Sequence, residues 1–254
     1  MTMNANNNIA AIRVRSLSKS FGEQKVLDGV DLEVRRGETL AVLGRSGTGK
    51  SVLLKLIIGL QKPDGGEVEI DGKQITGMSI DEINNVRKTV GFLFQQAALY
   101  DSLNVEENVA FPLRRHESMS GSERRDRARD LLARVGMKAA VEKMPADISG
   151  GMKKRAGLAR ALALQPKILL LDEPTAGLDP ITASEIDDLI RELQQERQIS
   201  SIVVTHDLRS VKRVADHVAM LDEGRIVIEG TLEDLRQSDN PMVSKFMHEP
   251  GEVN

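Results

Sequence analysis

The stretch "AVLGRSGTGKS", residues 41–51, sets an apolar run against a glycine-rich turn that closes on a lysine and a serine. Gly44, Arg45, Ser46, Gly47, Thr48, Gly49, Lys50 and Ser51 fill the pattern G-x-x-x-x-G-K-S. The apolar residues on either side, "TLAVLG" before and "SVLLKLIIGL" after, read as a strand and a buried helix. Strand, glycine loop, helix is the order this pattern needs. Its glycines let successive backbone N–H groups turn inward around phosphates, and the helix adds its positive N-terminus. Lys50 then reaches the terminal phosphates of a nucleotide, and Ser51 offers its hydroxyl to magnesium. The plain alternative, a glycine turn with a chance lysine, does not account for the flanking strand and helix.

A bound triphosphate still needs a second anchor for the metal and a group that activates water. Acidic residues at the end of a buried strand supply both, and "ILLLDE" at 168–173 has that form. Asp172 would hold the metal through its water shell, and Glu173 would act as general base. Their alternative role is to cap a following helix. The similar "VAMLDEG" at 218–224 leads straight into "RIVIEG", so Asp222, Glu223 and Gly224 read as a hairpin turn without chemistry.

Outward from these motifs, "IRVRSLS", "KVLDGVDLEV" and "TLAVLG" read as strands of an antiparallel, half-exposed N-terminal part. "GGEVEIDGKQI" reads as a hairpin turned at Asp71 and Gly72, and "TVGFLFQ" as a further strand. From 95 to 165 the periods become helical. In "SGSERRDRARDLLARVG", Ser120 and Glu123 form a capping box, Ala128, Leu131, Leu132 and Val135 share one face, and Gly136 ends the helix. Short continuous apolar strands return in "KILLLDE" and "SIVVTHD", joined by the amphipathic helix "DPITASEIDDLIRELQQERQ". Such runs belong to a parallel sheet covered on both faces. The expectation is one α/β domain over 1–254. Segments 1–94 and 166–254 form a nucleotide-binding core with its antiparallel β part, and a helical subdomain is inserted at 95–165. The closing "SKFMHEPGEVN" reads as a fraying tail.

The composition bounds the partners. A net charge of -3 offers no basic field for gathering nucleic-acid phosphates, so no nucleic acid is expected. There is no cysteine, hence no disulfide or thiolate metal site, which fits a reducing compartment. The polar start "MTMNANNNIA" lacks the order of a secretory signal, and no apolar run reaches the roughly 18 residues of a membrane span. A cytoplasmic chain is expected, held at any membrane by other subunits.

"ISGGMKKR" at 148–155 looks like a second phosphate-facing helix start. Ser149 is a good N-cap, Gly150 and Gly151 permit close backbone approach, and free N–H groups point outward. Lys153, Lys154 and Arg155 crowd a first turn where the helix dipole disfavours cations by several tenths of a kcal/mol each, as a rough measure. An anion arriving from outside would offset that, while a solvated basic face is the alternative.

With these motifs in this order, the chain resembles the ATP-binding-cassette ATPases over nearly its whole length. The resemblance implies a RecA-like P-loop NTPase core, ATP and Mg2+ as cofactors, and a head-to-tail pair. In that pair, residues 149–151 of one copy close over the ATP held by residues 44–51 of the other. It further implies that Phe21 stacks on adenine, unless it merely covers the small sheet. Gln95 would sense magnesium and water and link the core to the helical subdomain, with Gln96 as a poorer substitute. Asp179 in "AGLDP" would communicate across the dimer, or simply open a helix, and His206 would contact the terminal phosphate.

Met152 stands where the family's signature carries glutamine, and it lacks that amide's hydrogen bonds. Met152, "QQAALYDSLNVEENVAFPLRRH" and "GLDPIT" are similar to the Mla-type subfamily, which powers bacterial lipid transport with MCE-domain proteins. That implies transmembrane permease subunits, an MCE-domain protein and a place on the cytoplasmic face of the inner membrane. Transport of amino acids, ions or lipoproteins stays open, as do a soluble cassette ATPase, a P-loop kinase and a regulatory nucleotide-binding subunit.

Overall fold

In the computed structural model, residues 10–247 are described. Strands β1 (Ala10–Phe21) and β2 (Gln24–Arg35) pair antiparallel, and in β2 every second residue from Val30 is buried. Strand β3 (Thr39–Leu43) departs from the half-exposed antiparallel reading given to "TLAVLG": all its residues are buried and its neighbours are parallel. A continuous apolar run has no polar face to turn to water, so it goes to the centre of a covered sheet.

Helix α1 (Lys50–Ile57) follows the glycine loop. Strands β4 (Gly65–Ile70) and β5 (Lys73–Gln74) form the expected hairpin, with Asp71 and Gly72 at φ 49° and 77°. Helix α2 (Ile80–Arg87) is an addition to the sequence reading. It starts at a Ser79/Glu82 capping box but buries only Val86, so its apolar stripe is too thin to show as a period. After β6 (Val90–Leu93) come α3 (Val105–His116), α4 (Gly121–Arg134) and α5 (Gly150–Ala161). The chain then runs through β7 (Ile168–Asp172), α6 (Pro180–Arg197), β8 (Ser200–Thr205), α7 (Leu208–Val214), β9 (His217–Asp222) and β10 (Arg225–Gly230). Helices α8 (Leu232–Arg236) and α9 (Pro241–Met247) end the described part.

Among the described residues the strands form two sheets, β2-β1-β4-β5 and β10-β9-β3-β8-β7-β6, the second parallel apart from β10. Alternation along its buried strands covers both faces. Leu170, Ile202 and Val42 pack with α1 and the antiparallel sheet, while Leu169, Leu171 and Val203 pack with α5, α6 and the helical part. Each such side chain contributes roughly 1.5–3 kcal/mol on burial.

The fraying expected for 244–254 is corrected in its first residues. Phe246 and Met247 pack with Val243 against Leu43, Met220 and Leu235, because α9 presents them on one apolar face. Residues 248–254 lie outside the described residues, as does the polar start 1–9.

This topology sets up one edge. β3, β8 and β7 are neighbours, with Leu43 beside Thr205 and Asp172 beside Val204. Their carboxyl ends therefore deliver the glycine loop, His206 and the Asp172–Glu173 pair to one place, where ligands of open parallel sheets bind.

Candidate nucleotide site

The glycine loop is shaped by close approach. A Cβ on Gly44 would lie 2.5 Å from the Leu221 carbonyl oxygen, and Gly49, the N-cap of α1, has a φ of 101°. Lys50 is 5% exposed, and its Nζ donates to the carbonyl oxygens of Gly44 at 2.7 Å and Arg45 at 2.9 Å. It stands 3.6 Å from a Glu173 carboxylate oxygen. Burial pulls the Lys50 pKa down, and the charges of Glu173 and Asp172 oppose that.

Ser51 Oγ donates to Asp172 Oδ1 at 2.7 Å. Burial raises the Asp172 pKa, with the Ser51 hydrogen bond acting the other way and the Glu173 charge adding to the rise. A hydroxyl and a carboxylate side by side are hard oxygen donors of the kind Mg2+ takes. No group of three or more His, Cys, Asp or Glu could hold a metal among the described residues. One hydroxyl beside one carboxylate fits a cation that keeps several waters and uses substrate phosphates as ligands.

Glu173 is nearly buried, and His206 Nδ1 stands 3.0 Å from both its carboxylate oxygens. With Glu173 ionised it only accepts, so the imidazole proton sits on Nδ1. The Glu173 backbone has a φ of 46° and precedes Pro174, and its N–H donates to the Val204 carbonyl at 3.0 Å.

The "SGG" helix start takes its expected form in part. Ser149 caps α5 by accepting from the Met152 N–H at 3.3 Å. A Cβ on Gly151 would lie 2.5 Å from Thr182 Cγ2, so that glycine serves packing against α6 within the chain; on Gly150 it would meet only Leu178, at an ordinary 3.5 Å. The half-buried Met152 side chain packs against the core of the helical part.

The cations that follow do not crowd an outward face. Lys154 is 5% exposed, and its Nζ donates to the carbonyl oxygens of Gln95 at 2.5 Å and Glu173 at 2.7 Å. Burial pulls its pKa down to about 8 against the charges of Asp172 and Glu173. Arg155 reaches the Val135 carbonyl at 3.1 Å and Glu185 at 2.8 Å. Partners inside the chain thus satisfy two of the three cations, without an anion from outside.

Gln95 lies just beyond β6 with an exposed side chain, and the next turn holds Ala97 and Ala98 at φ 59° and 48°. Arg160 of α5 donates to both of those carbonyls, at 2.6 and 2.7 Å. Phe21, at the end of β1, is 47% exposed, with Lys19 Nζ 5.5 Å from its ring centroid. Asp179 caps α6, accepting from the N–H groups of Ile181 and Thr182 at 3.1 Å each, and the Thr182 hydrogen bond leads in lowering its pKa.

The structure therefore brings Lys50, Ser51, Asp172, Glu173 and His206 together directly, and the Gln95 backbone joins them through Lys154. Sequence reasoning missed Lys154 as a member. The signal was present, since it shares a helical face with Gly151, Gly157 and Leu158, all buried. It also missed a buried chain in which Thr175 Oγ1 and Ser210 Oγ lie 2.9 Å apart and Ser210 donates to Asp187 at 2.7 Å.

The profile of the ABC transporter family matches residues 27–176. The probable ribonucleotide transport ATP-binding protein mkl of Mycobacterium leprae is 43% identical over 238 residues, which span 94% of this chain and 69% of that protein. The intermembrane phospholipid transport system ATP-binding protein MlaF of Haemophilus influenzae is 39% identical over 236 residues, 93% of this chain and 89% of that protein. Among solved structures, the dimeric post-hydrolysis state of the ATP-binding cassette MJ0796 bound to ADP and Pi superposes with a TM-score of 0.81. It is 35% identical and covers 87% of this chain and 98% of its own.

Proposed function

The chain belongs to the ABC transporter family as an ATP-hydrolysing subunit, and from that premise we propose that two copies close head to tail over ATP and drive a permease for phospholipid or another hydrophobic compound. The observation that carries this reading is the convergence of Lys50, Ser51, Asp172, Glu173 and His206 at the carboxyl ends of three adjacent strands.

In this reading the loop N–H groups and Lys50 take the terminal phosphates, and Phe21 stacks on the adenine. Glu173 polarises the attacking water as general base, held in place by His206 Nδ1–H, and His206 lies beside the terminal phosphate. Ser51, Asp172 and Gln95 are the residues that would hold Mg2+, which when bound supplies neutralisation of phosphate charge. Ser149, Gly150 and Gly151 of the second copy complete each pocket with donors at a helix start, and Asp179 lies beside them across the pair.

A cavity of about 510 Å³ opens next to the Gln95 loop, lined by Phe92, Phe94, Tyr100, Phe111 and Pro112. A permease segment seated there would feel movement of that loop directly. No helix among the described residues is long and apolar enough to cross a membrane. The transport path here belongs to separate permease subunits, on whose cytoplasmic side the chain sits.

The phospholipid reading is supported by the MlaF relative and by Met152, and an MCE-domain protein is the accessory partner that goes with it. The mkl relative's name points instead to ribonucleotides for that protein. Affinity purification of the chain from detergent-solubilised membranes, with mass spectrometry of bound proteins and lipids, tests the proposal. A permease, an MCE-domain protein and phospholipid are expected. A chain that purifies without any permease, or a complex stimulated by ribonucleotide and not by phospholipid, would overturn it.

A further inference from the structure

We propose that Lys154 is a positioning residue for hydrolysis, whose buried ammonium ties the Glu173 peptide and the Gln95 loop to the helix that starts at Ser149. Events at that helix start are thereby passed to the same copy's own general base. The inference rests on the head-to-tail reading above, in which α5 serves two pockets at once. Its N-terminus closes on the partner's ATP, and its next turns hold the acid and the loop of its own.

Three observations carry it. First, both Nζ hydrogen bonds go to backbone carbonyls from different elements, Gln95 after β6 and Glu173 after β7, so one side chain joins three segments. Second, the Glu173 backbone is in a conformation that L-residues avoid, at φ 46°, and the following proline restricts it further. Such a geometry persists only where its surroundings hold it. Here the N–H is held by the Val204 carbonyl and the C=O by Lys154. Third, α5 grips the same loop a second time, since Arg160 donates to the Ala97 and Ala98 carbonyls and a Cβ on Gly157 would lie 3.0 Å from the Ala97 Cβ. Helix and loop therefore move as one body. Lys154 is five residues from Ser149, about 7.5 Å along the helix axis at 1.5 Å per residue. A displacement at the helix start reaches the Glu173 peptide through about one and a half turns of helix.

A buried ammonium is an expensive way to pack a helix onto a sheet, and a methionine of similar length would fill the space. Lys154→Met is thus the direct test, with Lys154→Arg as the conservative rescue and Lys154→Gln as the variant that keeps a donor without charge. In Lys154→Met, kcat is expected to fall about tenfold to a hundredfold, the scale of a small misplacement, while the KM for ATP stays within about threefold. Amide exchange at 95–98 and 173–176 is expected to rise in the nucleotide-free protein with exchange elsewhere unchanged. Lys154→Arg should recover most of kcat.

If the role is only structural, Lys154→Met lowers the melting temperature while the folded fraction turns over at the wild-type rate, and the proposal falls. Unchanged kcat and unchanged local exchange in Lys154→Met end it as well. Ser149→Ala, measured alongside, separates the two readings. A slow Ser149→Ala with a normal Lys154→Met sinks this inference alone, whereas a Ser149→Ala at full speed sinks the head-to-tail pair and this inference with it.

Discussion

His206 Nδ1 lies 3.0 Å from each carboxylate oxygen of Glu173, so the histidine that ends one buried strand orients the acid that ends its neighbour. A symmetric contact of this kind holds the plane of the carboxylate as well as its position. Glu173→Gln keeps an acceptor for His206 but loses the basic oxygen. Its ATP binding should survive while kcat falls by roughly 10²- to 10⁴-fold, as phosphate-release assays would show. A wild-type rate in that variant would remove Glu173 from the mechanism.

The Ser51–Asp172 hydrogen bond of 2.7 Å joins the two expected metal-facing oxygens. Ser51→Ala removes one of them and leaves Asp172 Oδ1 without that donor. The magnesium concentration for half-maximal hydrolysis should rise about 10- to 100-fold. Chelation by EDTA should stop hydrolysis in the wild type. Titration of rate against magnesium checks both, and an unchanged midpoint in Ser51→Ala would assign the hydroxyl to structure alone.

Gly150 and Gly151 separate a partner-facing role from a packing role. A Cβ on Gly151 would meet the Thr182 methyl at 2.5 Å, so Gly151→Ala should destabilise the fold by about 1–3 kcal/mol. Thr182→Ser, which deletes that methyl, should recover much of the loss in the double variant. Gly150→Ala should leave denaturant melting nearly unchanged, because its Cβ would meet only Leu178 at an ordinary 3.5 Å, and under the head-to-tail proposal it should still slow hydrolysis. Equal melting for the two single variants would refute the distinction.

Asp187 carries a pH signature. It is 2% exposed, and burial lifts its pKa to about 6, with the Ser210 hydrogen bond opposing and the Asp207 charge adding. Because the folded value lies above the ordinary one, the charged form burdens the fold above about pH 6, and the burden is relieved as pH falls. Between pH 7.5 and pH 5 the wild type should gain about 1.4 kcal/mol relative to Asp187→Asn. Urea melts of both proteins at the two pH values measure it, and parallel stability curves would contradict the shift.

Local patterns made much of this protein legible. The loop of 44–51, the turns at Asp71–Gly72 and Glu223–Gly224, and the Ser120/Glu123 cap each depend on backbone conformations that a few adjacent residues dictate. Helix α2 stayed hidden because its one buried apolar residue, Val86, makes no stripe. α9 was obscured by the polar residues around Phe246 and Met247.

By itself the sequence determined most of the strands and helices, α2 and α9 apart, which loop is suited to phosphate, and that acids follow a buried strand, since these are short-range properties of side-chain period and backbone freedom. Only the tertiary structure decided that β3 sits between β8 and β9, and so which strand ends meet. It also decided that Lys154 and Arg155 turn inward and that Gly151 is needed by Thr182. The reason is physical: a long flexible cation has many directions open to it, and the carbonyls and carboxylates that select one come from distant parts of the chain.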